Sequence, residues 1–367
     1  MSRICFVRPS AAPLFTSESY VAVGDAEITA FEFAQSLAER NHDVSFAVRA
    51  TNGLPKHHGD IRLLPMPERS RGLARIVDNM RSHIFASPDP DALIESIDAE
   101  IIVCVGLQDP TPSVIEAARR SEKKTILFLT SGEEISSSQQ RWSRFAVEHS
   151  DEVVCQTESE QRTLTEQFDR SSLLIRSPID VTVADERLPQ PREYVIWAGN
   201  DENELESLET CLELARHAPN IPFRLLVDNV DGSVRKLQRH TPNNVTLEFD
   251  LTPDQVEERF ASATVLVNTS DDAALPYTFL QAAKYETPIL SLYADPDGIL
   301  SQKGCGEVAG SLESMATLIH EYHARTPRVC DKGADARRYV KYVHDMRDRV
   351  LELDMLIDSS SHFEQFV

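Results

Sequence analysis

The 367-residue chain carries 59 acidic and 37 basic residues, a formal net charge of −22 at neutral pH, and 41% of its residues are hydrophobic. That balance excludes a nucleic-acid binder, which needs a basic face, and the length suffices to bury two hydrophobic cores. Apolar runs such as AEIIVCVGL and TVLVN are far too short to cross a bilayer, so no transmembrane segment is expected.

The opening stretch MSRICFVRPS runs straight into a strand. It has no basic region followed by a long apolar stretch, so no signal peptide is expected. The six cysteines, Cys5, Cys104, Cys155, Cys211, Cys305 and Cys330, are scattered without C-x-x-C spacing, and several fall inside apolar strands. Buried free thiols in a reducing compartment are expected, and hence a cytoplasmic location.

In chain order, RICFVR leads through a long loop to the helix AEITAFEFAQSLAERN. In that helix Ile28, Phe31, Ala34, Leu37 and Ala38 share one face at the 3.6-residue period. DVSFAV, AEIIVCVG, TILFLT and EVVCQT follow as strands, alternating with the helices PSVIEAARRSEK, SSQQRWSRFAVEHS and ESEQRTLTEQF. Strands spaced by helices of this length form βαβ units around a parallel sheet covered on both faces. SPIDVTVADERLPQPRE, with three prolines and no helical period, interrupts the alternation. It then restarts with YVIWAG, ELESLETCLELARHA, FRLLVD, SVRKLQRH, VTLEF, TPDQVEERFASA and TVLVNT. ADARRYVKYVHDMRDRVLELDMLI reads as one closing helix. The fold class expected is α/β, with two Rossmann-like parallel-sheet domains facing a cleft. Residues 1–178 form the first domain, 179–192 the linker and 193–334 the second domain. A terminal helix over about 335–367 packs back on the first domain. The shared cleft is the expected ligand site.

Several constellations along this frame bear on chemistry. The first βα loop ends in Gly24-Asp25-Ala26-Glu27 at a helix start. Gly24 permits close backbone approach to a bound group, while a plain capped helix start explains the same residues. No G-x-G-x-x-G follows the strand, which argues against a dinucleotide dehydrogenase. Gly199 and Asn200 follow the strand VIWAG, and the acidic run Asp201, Glu202, Glu204 and Glu206 suits the positive end of the next helix. Asp295-Pro296-Asp297-Gly298 and Pro88-Asp89-Pro90-Asp91 contain Asp-x-Asp, a spacing able to hold a divalent cation with a diphosphate, but both are turn sequences first. His57-His58 reads as a surface loop. The segment SDDAALPYTFLQAAKYETPILSL places a loop and helix after the strand TVLVN. If that helix starts near Ala274, Gln281 stands about two turns along it.

Taken together, these segments resemble the GT-B glycosyltransferases of the group 1 (retaining, GT4-like) type. GDAEITAFEFAQSLAERNHDVSFAV resembles the family's Gly-Gly-Ala-Glu helix and following strand, and SPIDV its linker entry. VTLEFDLTPDQVEERFASATVLVNTSDDAALPYTFLQAAKYETPIL resembles its most specific segment, and ARRYVKYVHDM its closing helix. The resemblance implies a nucleotide-diphosphate sugar as donor, held mainly by the second domain. A glycan or small-molecule acceptor would be held mainly by the first, with no cofactor and no metal. It implies donor-binding positions at Gly199, Asn200, Asp272, Ala274, Leu275 and Gln281, and an acceptor-side loop at Gly24 and Asp25.

Departures from the family pattern are specific. The family's diphosphate-binding Arg falls on Asn200 and its Lys near Leu205. Its Glu-(seven residues)-Glu pair falls on Ala273 and Gln281, and its first-domain histidine, near Thr130-Ser131, is missing. Gln281 keeps a carbonyl able to accept from ribose hydroxyls. Losing two charge-assisted bonds of roughly 1.5–3 kcal/mol each would slow transfer by on the order of 10²–10⁴. Asp272 is positioned to replace the missing Glu after a one-residue shift, and Arg235, Lys236, Lys284 and Lys303 are candidates to restore charge. The alternative expectation is a GT-B-fold binding or scaffold protein without catalysis.

Overall fold

The computed structural model describes residues 1–16, 24–66, 90–107, 110–130, 140–182, 184, 191–199, 201–227, 241–271 and 275–362. The chain forms two compact units. One comprises Met1–Thr16, Ala26–Ile175 and Val350–Val367, the other Ser17–Asp25 and Arg176–Arg349.

The first unit is built on strands β1 (Arg3–Val7), β2 (Asp43–Arg49), β3 (His57–His58), β4 (Ile61–Met66), β5 (Ile101–Val105), β6 (Lys124–Phe128), β7 (Glu152–Cys155) and β8 (Leu173–Leu174). Their order across the sheet is β3-β4-β2-β1-β5-β6-β7-β8. Pairing is parallel throughout except for β3, which runs antiparallel to β4. β5 is buried at every residue, as a strand covered on both faces requires. The Glu158–Phe168 helix opens on a capping box: Thr157 accepts from the Glu160 amide while the Glu160 carboxylate accepts from the amide of Thr157. The histidine pair expected in a loop forms strand β3 instead, and the His58 ring packs edge-on against Phe15 and Phe31.

The second unit carries β9 (Tyr194–Gly199), β10 (Phe223–Val227), β11 (Val245–Glu248), β12 (Ala263–Asn268), β13 (Ile289–Ser291) and β14 (Gly306–Val308), in the order β11-β10-β9-β12-β13-β14. All its pairings are parallel. Trp197, Phe223, Leu225, Val265, Leu290, Met315 and Tyr322 sit in its core. The Pro327–Val343 helix comes within backbone distance of the corner after the Tyr277–Lys284 helix. A Cβ placed on Gly333 would lie 2.2 Å from the Glu286 carbonyl oxygen, so only glycine fits there.

The closing helix expected to be continuous is broken into Pro327–Val343 and Met346–His362. The cause is a distant segment that takes over its hydrogen bonds. Ile179 donates its amide to the His344 carbonyl at 2.9 Å, and Met346 donates to the Ile179 carbonyl at 3.2 Å, forming an isolated bridge between Ile179 and Asp345. The second of the two helices is tied to the first unit by Asp354, whose carboxylate meets Arg40 Nε at 2.8 Å and His42 Nε2 at 2.9 Å. All six cysteines are free and five are buried; burial pushes the Cys5 thiol up to about 11.

Candidate active site

In each sheet the chain winds outward in one direction, returns to the middle and winds out the other way. Where it reverses, the connections leave the carboxyl edge in opposite directions and open a crevice between two neighbouring strands. In the second unit the reversal lies between β9 and β12.

One lip of that crevice is the end of β9 at half-buried Gly199, followed within two residues by the start of the Asp201–His217 helix. The other lip rises from β12 through Asn268, Thr269 and Ser270. It resumes at Leu275 and enters the Tyr277–Lys284 helix. The two lips are locked together below the surface. Trp197 Nε1, on β9, donates to Thr269 Oγ1 at 3.0 Å, and Thr269 Oγ1 donates to the Ser207 carbonyl at 2.6 Å. That leaves the Ser207 hydroxyl, 2.8 Å away, to donate back to Thr269. Asn268 Nδ2 reaches the Ser291 hydroxyl at 3.1 Å, joining β12 to β13. These buried, satisfied hydroxyls fix the root of the loop, which a site on a loop needs.

The helix begins at Tyr277, not near Ala274. Pro276 is extended (φ −66°, ψ 136°) at the cap position, and a proline disfavours helical geometry in the residue before it. Gln281 therefore stands in the second turn, about 6 Å along the axis from Tyr277. It is 5% exposed, and its side-chain amide has no hydrogen-bond partner among the described residues. The first turn carries no acidic residue and Pro276 offers no side-chain cap, so the positive end of this helix is not neutralised from within. Leu275 is buried, leaving only its backbone for a ligand. Asn200, Asp272, Ala273 and Ala274 lie outside the described residues, as do Arg235 and Lys236.

Two of the cations considered for this site are placed elsewhere. Lys284 ends the helix at its far, carboxyl terminus and is held by Glu257 at 2.6 Å, with its ammonium 5.2 Å from the Tyr285 ring centroid. Lys303 is exposed in the segment that descends to the start of β14. The Asp295–Gly298 stretch is a turn. Asp295 accepts from the amides of Leu300 at 2.7 Å and Ser301 at 3.2 Å, and Asp297 pairs with Arg176 at 2.7 Å. No cluster of three His, Cys, Asp or Glu side chains suited to a metal occurs among the described residues. Pro88 and Asp89 lie outside that set, as do the side chains of Pro90 and Asp91.

The first unit has its own reversal, between β1 and β5. There Arg8, just past β1, donates from Nε to Glu27 at 2.8 Å and from Nη1 to the Val105 carbonyl at 2.9 Å. Ser10 also donates to Glu27. Burial pushes the Glu27 carboxyl up, but the Arg8 charge and the two hydrogen bonds outweigh it, and the net direction is down. Gly24 and Asp25 are exposed at the start of this helix, with Asp25 its first residue and not its cap. The Arg8–Glu27 pair was not legible in the chain, although FVR ending a strand and Glu27 in the first helical turn were its visible parts.

No protein-family model matches this chain, and no curated protein does. Solved structures do. Sucrose-phosphate synthase from Thermosynechococcus elongatus superposes with a TM-score of 0.74 at 14% identity, covering 98% of this chain and 99% of that one. HepE from Anabaena, in complex with UDP and glucose, gives 0.75 at 13% identity over 98% and 100%. WaaG, a glycosyltransferase involved in lipopolysaccharide biosynthesis, gives 0.64 at 14% identity over 95% and 98%. The chain therefore has the GT-B fold, the two-unit α/β architecture of these glycosyltransferases. No helix among the described residues is long and apolar enough to cross a membrane.

Proposed function

We propose that this protein is a glycosyltransferase of the retaining, group 1 type. It moves a sugar from a nucleotide-diphosphate donor, held at the β9–β12 crevice, to a glycan or small-molecule acceptor. The observation that carries the reading is the built corner at that crevice: a loop root fixed by Thr269, then a helix with no acidic residue in its first turn, then a buried amide at Gln281. Its support from outside the chain is a full-length likeness to a fold of which one example, HepE, is seen with UDP-glucose.

In this reading Gly199 and Asn200 let the backbone approach the diphosphate, and the amino end of the Tyr277–Lys284 helix meets its charge. Gln281 accepts from the ribose hydroxyls. Asp272, Ala274 and Leu275 line the sugar side, and Gly24 and Asp25 the acceptor side. The site is divergent, since neither family carboxylate of the Glu-(seven residues)-Glu pair is present.

A thermal-shift panel of nucleotide-diphosphate sugars tests the reading. One donor raises the melting temperature in a concentration-dependent way, Gln281→Ala removes that shift, and slow donor hydrolysis falls in Asp272→Ala. A chain that shifts with no nucleotide and hydrolyses no donor is not a transferase of this kind.

A further inference from the structure

A short strap, residues 176–180, is stitched to three parts of the second unit. Arg176 pairs with Asp297, in the loop that rises from β13. Tyr277, the first residue of the helix after β12, donates its hydroxyl to the Pro178 carbonyl at 3.3 Å. His344 Nδ1 donates to the Ser177 carbonyl at 2.9 Å. The first two ties place the strap at the carboxyl edge of the sheet, beside the β12 corner.

The Arg176–Asp297 pair is buried, its side chains 10% and 7% exposed, as the Arg8–Glu27 pair of the first unit is. Such a pair adds little stability, because the cost of desolvating both charges offsets their attraction. The turn does not need it either. Asp295 builds that turn by accepting two backbone amides and the Ser301 hydroxyl, while Asp297 holds a left-handed backbone (φ 49°) with its carboxylate on Arg176. Two other cations of the unit, Lys284 and Arg192, are committed to the opposite edge. Lys284 is on Glu257, and Arg192 donates to the Ala263 carbonyl at 2.9 Å and the Thr287 hydroxyl at 2.6 Å. Meanwhile the residues following β9 offer no arginine or lysine between Asn200 and Leu205.

We propose that Arg176 is the cation that meets the donor diphosphate, with Asp297 as its resident counter-ion. The proposal rests on the donor-site reading above and moves the charge from the loop after β9 to the strap. It predicts opposite effects for the two halves of one ion pair, which a merely structural clasp cannot produce.

Calorimetric titration of the full chain with UDP, inorganic pyrophosphate and uridine decides it. Arg176→Gln weakens UDP and pyrophosphate by about ten- to a hundred-fold, the value of one charge-assisted contact, and leaves uridine unchanged. Arg176→Lys recovers part of the loss. Asp297→Asn binds UDP at least as tightly as the parent, although it melts lower. Equal losses of UDP affinity in Asp297→Asn and Arg176→Gln would reduce the pair to a clasp and overturn the proposal. So would Arg176→Gln binding UDP like the parent, with the donor site itself left standing. If Arg176→Gln does not fold, the sign of the Asp297→Asn effect decides alone. A parent chain that binds neither UDP nor pyrophosphate overturns the donor reading together with this one.

Discussion

His344 is a buried base whose proton balance contributes to how this protein tolerates acid. It is fully buried, donates from Nδ1 to the Ser177 carbonyl, and has no partner for Nε2 among the described residues. Burial is the main cause of its depressed pKa, pushed down to about 3, with the Arg176 and Arg349 charges adding to it and the Ser177 bond and Asp297 opposing it. In the unfolded chain the same ring titrates near 6.5. Between those values the unfolded state takes up a proton that the native state refuses, so stability is lost as pH falls from about 6.5 toward 3. At about 1.36 kcal/mol per pH unit, the loss is about 2 kcal/mol by pH 5 and on the order of 5 kcal/mol by pH 3.

His344→Asn removes the titration while placing an amide N–H near the position of Nδ1, so the bond to Ser177 is retained. The smaller side chain costs about 1–3 kcal/mol at pH 7.5. The assay is urea unfolding at a series of pH values in a Trp142→Phe background. Of the two tryptophans in the chain, that leaves Trp197, buried in the second unit, as the fluorescent reporter. The gap between parent and His344→Asn should shrink by about 2 kcal/mol between pH 7 and pH 5. If both variants lose stability in parallel across that window, His344 is not held neutral and the assigned environment of the strap is wrong.

Three further outcomes follow from the geometry. Glu27→Gln leaves the Arg8 guanidinium buried beside a neutral amide, at a cost of about 3–5 kcal/mol in denaturant unfolding. The Glu27 pKa is lowered, so that difference is present above the ordinary carboxylate range and narrows as pH falls through the folded value. Gly333→Ala drives a methyl into the Glu286 carbonyl and must push the Pro327–Val343 helix outward, so it destabilises by about 1–3 kcal/mol or more. Asp354→Ala releases Arg40 and His42, and the partial exposure of Arg40 limits the loss to about 1 kcal/mol. Faster amide exchange over residues 350–362, with the β1–β7 amides unchanged, is the readout.

What the chain discloses about itself divides along the range of the forces involved. The strands and most helices follow from local period. IIVCV and ATVLVN are continuous apolar runs because parallel strands are covered on both faces, and Thr157 with Glu160 announces a helix start within four residues. The structure departs from the local pattern where a distant segment overrides it. The closing helix breaks at His344 because residue 179 supplies hydrogen bonds from far away in sequence. The start at Tyr277 was readable in principle, since Leu275-Pro276 disfavours helical backbone just before the proline. The ion pairs that define both carboxyl edges join residues 19 and 121 positions apart, and nothing local marks either arginine as a partner of either acid.

The distribution of charge gives these ties a common logic. With a net charge of −22, the chain repels a diphosphate at long range, so any affinity must come from groups within contact distance. In the second unit, Arg192 and Lys284 hold the amino edge and Arg224 and Arg259 share Glu248, work that fixes strands and helices rather than ligands. A cation carried on a strap and paired with a buried carboxylate is a different arrangement. The carboxylate keeps the guanidinium desolvated and oriented, which lowers the ordering cost when a phosphate oxygen takes up part of its hydrogen bonding. In the proposed site, the charge that the group 1 resemblance would place at Asn200 and near Leu205 is carried by Arg176 instead.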